Sequence, residues 1–308
     1  MIDLAIALVC SGPVALAAPP VDVVGIAVDG AYESAFARAA SRLEGSGLRA
    51  PVVSWDEPRV VSSRNYELRT TESRGHALRR ARDLEDMLVR YQFLLGTDFE
   101  PRIPLVMLLH PNGTSYGEFA SQYSDARSSV FGGFYDPSNP EGAAAAIHSD
   151  NVALERMHLT HAAVQQYVAR AFPNVELEPA LTQGLGAYFQ SFWDYRYFVD
   201  RYLALRDGSG ESGLIPLRSL LNDPIDAYPE RGADRLFQLA MLFVYLRHFK
   251  EETKSNVFPD GSADVIGPFE NYLRRRLRGE DVANDPIQRL FSTELDLLEA
   301  EMLDFDSW

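Results

Sequence analysis

Cysteine is almost absent: Cys10 is the only one in 308 residues. That excludes a disulfide framework and any cysteine-built zinc site. Lysine is nearly absent as well, since Lys250 and Lys254 are the only two; we read this as a compositional bias with no mechanism attached. Positive charge is scarce overall. Lys+Arg is 29 against 44 for Asp+Glu, a formal net charge of -15. Such a chain repels phosphate backbones and anionic lipid, so nucleic acid is excluded as an expected partner. Repeats and low-complexity tracts are missing, and no run beyond residue 18 approaches the ~20 apolar residues of a membrane span. What is there is ordinary. The hydrophobic fraction is 46% and the charged fraction 24%, a globular balance with room for one large domain or two modest ones.

Residues 1–18 read MIDLAIALVCSGPVALAA. This apolar run is too short to span a bilayer and ends in the small-x-small pattern Ala15-Leu16-Ala17. Asp3 stands where a signal usually carries a basic residue, and bulky Val9 before Cys10 argues against a lipoprotein site. The segment is read as a secretory signal, which predicts an exported soluble protein, periplasmic or extracellular, whose mature chain lacks cysteine. The competing reading is a buried N-terminal element.

Residues 21–28 read as a strand, 31–44 as a helix, and 45–58 as a loop-rich linker, together an N-terminal extension over 19–58. Strand-like alternation follows over 59–71. A long helix is expected over 74–95, with Leu78, Leu84, Leu88, Tyr91 and Leu95 at helical spacing and Gly96 closing it. The run Ile103–Leu109 suits a central strand. A short helix over 116–123, a loop over 125–142 and an edge strand over 143–148 come next. Beyond 151 helices are expected over 152–171, 178–193, 195–206, 232–249, 267–278 and 286–303. The last 29 residues carry nine acids against Arg289 alone, which is read as a solvated helix face. The fold class is therefore α+β: a small mixed α/β half followed by a mainly helical half.

Two neighbouring segments carry the chemistry. Leu159-Thr160-His161-Ala162-Ala163-Val164-Gln165-Gln166 places His161 and Gln165 four apart, on one helix face. Pro179-Ala180-Leu181-Thr182-Gln183-Gly184-Leu185-Gly186-Ala187-Tyr188-Phe189 follows on a second helix. Two ligands at i, i+4 are what one helix needs to chelate a metal in the H-E-x-x-H motif, whose Glu is the general base of a zinc-bound water. The order resembles the gluzincin metallopeptidase clan, in particular the bacterial peptidase MA-like domains (DUF1570), with L-x-H-E-x-x-H-Q followed by P-x-W-L-x-E-G-L-A-x-Y-F. The resemblance covers about residues 64–250, through Tyr116, Phe119, Gly133-Phe134-Tyr135 and Ile215-Pro216-Leu217. It implies a gluzincin-like domain over 59–250, with 251–308 as a C-terminal helical segment, and zinc in active relatives.

In that register the motif is degenerate. His161 keeps the first ligand position, while Ala162 replaces the catalytic Glu, Gln165 the second His, and Gln183 the third-ligand Glu. A second register sets Met157-His158-Leu159-Thr160-His161 over the motif and needs more base changes. Either way one imidazole and neutral amides do not hold zinc, and Ala162 supplies no base. The expectation is a pseudopeptidase, a non-catalytic binding or scaffolding domain without cofactor. Gln165 and Gln183 are then expected to bond each other or His161, since buried polar groups need partners.

Three alternatives stand beside this. Glu155, His158 and His161 run at i, i+3, i+6 and form a candidate non-standard metal site. Gly113-Thr114-Ser115-Tyr116-Gly117 matches the serine-hydrolase G-x-S-x-G pattern, with His148, His161 or His248 as base; the favoured reading makes Ser115 an N-cap, with Glu118 completing a capping box. The aromatic run Tyr188, Phe189, Phe192, Trp193, Tyr195, Tyr197, Phe198 and Tyr202 reads first as helix–helix core, and second as a cleft for a peptide, protein or glycan.

Overall fold

A computed structural model describes residues 59–123, 132–137, 139, 142–175, 177–208, 213–224, 227, 231–250, 252–254 and 266–306. The expected signal, the strand at 21–28 and the helix at 31–44 lie outside them. The chain is α+β, and its contacts divide after Pro173 into two units. The boundary falls inside the expected 59–250 span, and residues beyond 250 group with the helices from 174 onward.

The N-terminal unit is built on a five-stranded mixed sheet in the order β1-β2-β3-β5-β4. Its strands are β1 (Arg59–Ser62), β2 (Tyr66–Thr70), β3 (Leu105–His110), β4 (Gly133–Tyr135) and β5 (Ala144–Ile147). Helices α1 (Arg74–Leu95), α2 (Gly113–Tyr123) and α3 (Val152–Ala171) join them. β2 and β3 run parallel, Tyr66 beside Leu105, as a crossover through α1 requires. β5 runs parallel to β3 on its far side, Met107 beside Ala144. The outer strands β1 and β4 are antiparallel to their neighbours.

All six residues of β3 are buried. That suits a central strand with helices on both faces. Val106, Leu108 and Ala145 turn to a cluster with Tyr116, Phe119 and Ala120 of α2; alternation sends Leu105, Met107 and Leu109 to the other face, where α1 and α3 pack. Two expectations are corrected. β5 is an inner strand rather than an edge, because β4 pairs outside it, and β4 itself emerges from the stretch expected to be loop.

Local signals set the helices of this unit. Ser73 Oγ accepts from His76 N and starts α1, and Gly96 closes it at φ 63. Asn151 Oδ1 accepts from Ala153 N at 3.0 Å and Leu154 N at 3.2 Å and starts α3. α3 is then fixed in rotation by buried Gln166, whose Nε2 donates to Val106 O at 2.9 Å and Gly142 O at 2.7 Å. Tyr91 OH donates to Thr160 O at 3.2 Å and ties α1 to α3.

The C-terminal unit is helical: α4 (Pro179–Gln190), α5 (Tyr195–Arg206), α6 (Leu217–Asn222), α7 (Gly232–His248), α8 (Pro268–Leu277), α9 (Pro286–Leu290) and α10 (Leu295–Leu303). α7 is its axis, with Leu239 through Phe243 wholly buried. α4 crosses it at Gly184, where a Cβ would lie 2.3 Å from the Phe243 ring. Buried Arg235 donates to the carbonyls of Leu220, Asp223 and Pro224, closing the C-terminal end of α6. The single helix expected over 286–303 is two. Ser292 Oγ bonds back to Gln288 O at 2.8 Å, and Thr293 N and Glu294 N both return to Arg289 O, so local side-chain and backbone bonds break the helix between them.

Candidate functional site

The motif helix α3 lies against strand β4. The approach is close because two glycines, Gly132 just before β4 and Gly133 at its start, lead into the strand. At Gly132 the φ of +65 favours glycine, and a Cβ there would lie 2.2 Å from the His158 ring. At Gly133 a Cβ would lie 2.1 Å from the His158 carbonyl oxygen and 3.3 Å from the Ala162 Cβ. The second turn of α3 therefore carries backbone, not solvent, on its outer face. His161 and Ala162 are both 0% exposed.

Gln165 joins the two elements. Its Nε2 lies 3.0 Å from His161 Nε2, and its Oε1 accepts from Tyr135 N at 3.1 Å. The second bond settles the first. With Oε1 on the strand N–H, the end facing His161 is the NH2 group, which can only donate. His161 Nε2 is then the acceptor, and the imidazole keeps its proton on Nδ1. The lone pair that a metal would need is held by an amide proton. The expected pairing of Gln165 with His161 is present.

This donor set does not fit zinc. Position 162 offers a methyl group, position 165 an amide already spent on two bonds, and His161 a nitrogen already accepting. Gln183 sits half-buried on α4, and its Oε1 is buried without a hydrogen-bond partner among the described residues.

The alternative grouping of Glu155, His158 and His161 does not form. His158 Nδ1–H donates to Ile147 O at 3.0 Å, and burial lowers its pKa. His161 is held as above. Glu155 turns the other way and meets two histidines that the spacing argument did not name for this role. His76 Nε2 is 2.6 Å from Glu155 Oε1, and His148 Nδ1 bonds Oε2. Arg80 Nε pairs with the same carboxylate at 2.7 Å, and Ser149 N donates to it at 3.2 Å. Glu155 is wholly buried. The correction has a topological reason: i, i+3, i+6 spans nearly two turns of α3, whereas α1 and the β5–α3 connection both end beside its first turn.

Ser115 is also placed differently. Asn112, not Ser115, caps α2, since Asn112 Oδ1 accepts from Ser115 N at 2.9 Å. Ser115 Oγ instead shares a 3.0 Å hydrogen bond with His110 Nδ1. His110 closes β3, one residue beyond the expected strand end, and was not among the expected bases. It is 0% exposed, and burial lowers its pKa to about 4.

The aromatic run divides. Tyr188, Phe189, Phe198 and Tyr202 are buried in the helical unit, while Phe192 and Tyr197 are about two-fifths exposed. The Tyr188 hydroxyl is engaged by Arg247 and by His248 Nε2 at 3.3 Å, and Arg247 pairs with Glu270 at 2.7 Å. These rings serve first as core. No helix among the described residues is long and apolar enough to cross a membrane. No protein-family model matches the chain, and no curated protein matches it.

Proposed function

We propose that this chain is a catalytically silent metallopeptidase-like protein of gluzincin type, exported and used for binding or scaffolding. One observation carries the reading: the Gln165 amide fills the space between His161 and the Tyr135 N–H, where a second imidazole and a metal would stand. The surroundings agree with it. A mixed sheet with an antiparallel outer strand lies along the motif helix, and the position of the catalytic Glu is a buried alanine. A water-activating base has no residue to come from at 162.

The ligand class in this reading is a peptide, protein or glycan. The test is a hydrolysis assay on casein and on peptide libraries, with the full chain supplied with zinc. We expect no zinc-dependent cleavage. Cleavage abolished by His161→Ala overturns the proposal.

A second reading has one observation behind it, the His110–Ser115 hydrogen bond, which is the nucleophile–base contact of a serine hydrolase. Two facts weigh against it. A histidine lowered to about 4 is a weak base near neutrality, and the N–H after the serine, that of Tyr116, is already committed to Asn112 O at 3.1 Å rather than open to an oxyanion. Stoichiometric fluorophosphonate labelling of Ser115, lost in His110→Ala, would establish it.

A further inference from the structure

We infer that the cluster of His76, His148 and Glu155 is a divalent metal site, one that takes zinc-like ions with nitrogen and oxygen donors. It shares no ligand with the degenerate motif at 161–165. His76 comes from the first turn of α1, His148 from the connection between β5 and α3, and Glu155 from the first turn of α3. One donor atom from each lies within 4.8 Å of the others. The two imidazole rings stand edge to face, with centroids 5.3 Å apart.

The donor set is two imidazoles and one carboxylate. Borderline divalent ions favour it, and it is the three-ligand set that leaves zinc a fourth, open position. His76 and His148 keep 15% and 17% of their side-chain surface exposed, so the cluster is reached from solvent through the imidazoles, while Glu155 is closed off at 0%.

The groups behind the donors support the assignment. Glu155 is held by Arg80 Nε and by Ser149 N, which leaves it little freedom to turn away. His148 directs Nδ1 at Glu155, and its other nitrogen, Nε2, lies 3.6 Å from Glu72 Oε1. That carboxylate is beyond hydrogen-bond range and acts on the ring through its charge. The charge is also right. Glu72 and Asp150 lie 3.6 and 3.9 Å from His148 Nε2, and the guanidinium on Glu155, that of Arg80, is shared with Asp83, so the carboxylates outnumber it and favour a cation.

Without metal, imidazole protons occupy the gaps between the donors. Bonds of about 2.1 Å to one ion set tetrahedral donors about 3.4 Å apart. The 2.6 Å between His76 Nε2 and Glu155 Oε1 therefore opens by roughly 0.8 Å when an ion replaces the proton.

The experiment titrates Co2+, and then Zn2+ in competition, into the untagged full chain, reading the cobalt visible spectrum and bound metal per chain. The expected result is one equivalent with a four-coordinate spectrum. His76→Ala and His148→Ala each weaken binding by at least tenfold, and His161→Ala leaves it unchanged. If an alanine variant fails to fold by circular dichroism, His148→Gln replaces it, keeping size and polarity while removing the imidazole. Absence of binding overturns the inference, and so does binding that survives both His76 and His148 substitutions. Loss on His161→Ala also overturns it, and would speak instead for a metal at the motif, the outcome that bears on the proposed function.

Discussion

Replacing Gln165 by alanine tests the amide lock directly. The side chain makes two hydrogen bonds, 3.0 Å to His161 Nε2 and 3.1 Å from Tyr135 N. Truncation removes both and leaves two polar groups beside a small void. His161 is wholly buried and Tyr135 half-buried. Each stranded group costs about 1–3 kcal/mol, less where water reaches it, so about 3 kcal/mol is expected in total. For a unit of this size that lowers Tm by roughly 10 °C. Gln165→Met keeps the volume and loses the same bonds, so it should destabilise nearly as much. A double-mutant cycle with His161→Ala isolates the pair, with a coupling of about 1–2 kcal/mol. The assay is calorimetric unfolding of the four proteins, with long-range nitrogen NMR reporting the His161 tautomer. Unchanged Tm in Gln165→Ala, or an Nε2-protonated His161 in the parent chain, would refute the reasoning.

Three further outcomes follow from the same geometry. Ala162→Glu places a carboxylate at a 0% exposed site against β4; it should destabilise by several kcal/mol without generating zinc-dependent cleavage, read by thermal melts and the casein assay. Gly133→Ala puts a methyl group 2.1 Å from the His158 carbonyl oxygen, so β4 must lift from α3 and amide exchange over 133–135 should accelerate. For pH, His110 is lowered from 6.5 to about 4 by burial. Its folded pKa lies below its unfolded one, so its contribution is present above pH 6.5 and lost as pH falls toward 4. The loss amounts to about 3 kcal/mol at most. Burial lowers His158 and His248 in the same sense. Denaturant melts between pH 7 and 4 should show this decline, and His110→Leu should flatten part of it.

Elements whose signals are local were legible in the sequence. Ser73, Asn151 and Gly96 bound their helices by capping chemistry that needs no tertiary partner, and β3 announced itself as an unbroken apolar run. The strand order was not legible. β5 is Ala144-Ala145-Ala146-Ile147, a run with poor strand propensity. Its place inside the sheet rests on β4 pairing outside it and on the room small side chains leave for α3. β4 has only three residues, and Gly132 before it and Gly133 at its start read as loop until the helix they accommodate is in place.

The same division explains the site. His161 and Gln165 are one helical turn apart, so their contact follows from spacing alone. His76 and Glu155 are 79 positions apart, and His148 precedes Glu155 by seven; no periodicity connects them. Glu155 in the first turn of a helix reads in sequence as an exposed acid; its burial, which obliges the carboxylate to find cations or donors, is itself a tertiary outcome. Its partners are chosen by the two elements that end beside that turn, α1 at its start and β5 at its exit. The chain thus carries two polar centres on one helix. One is closed by an amide and readable from its own sequence. The other is assembled from three elements, and its two imidazoles remain in reach of water.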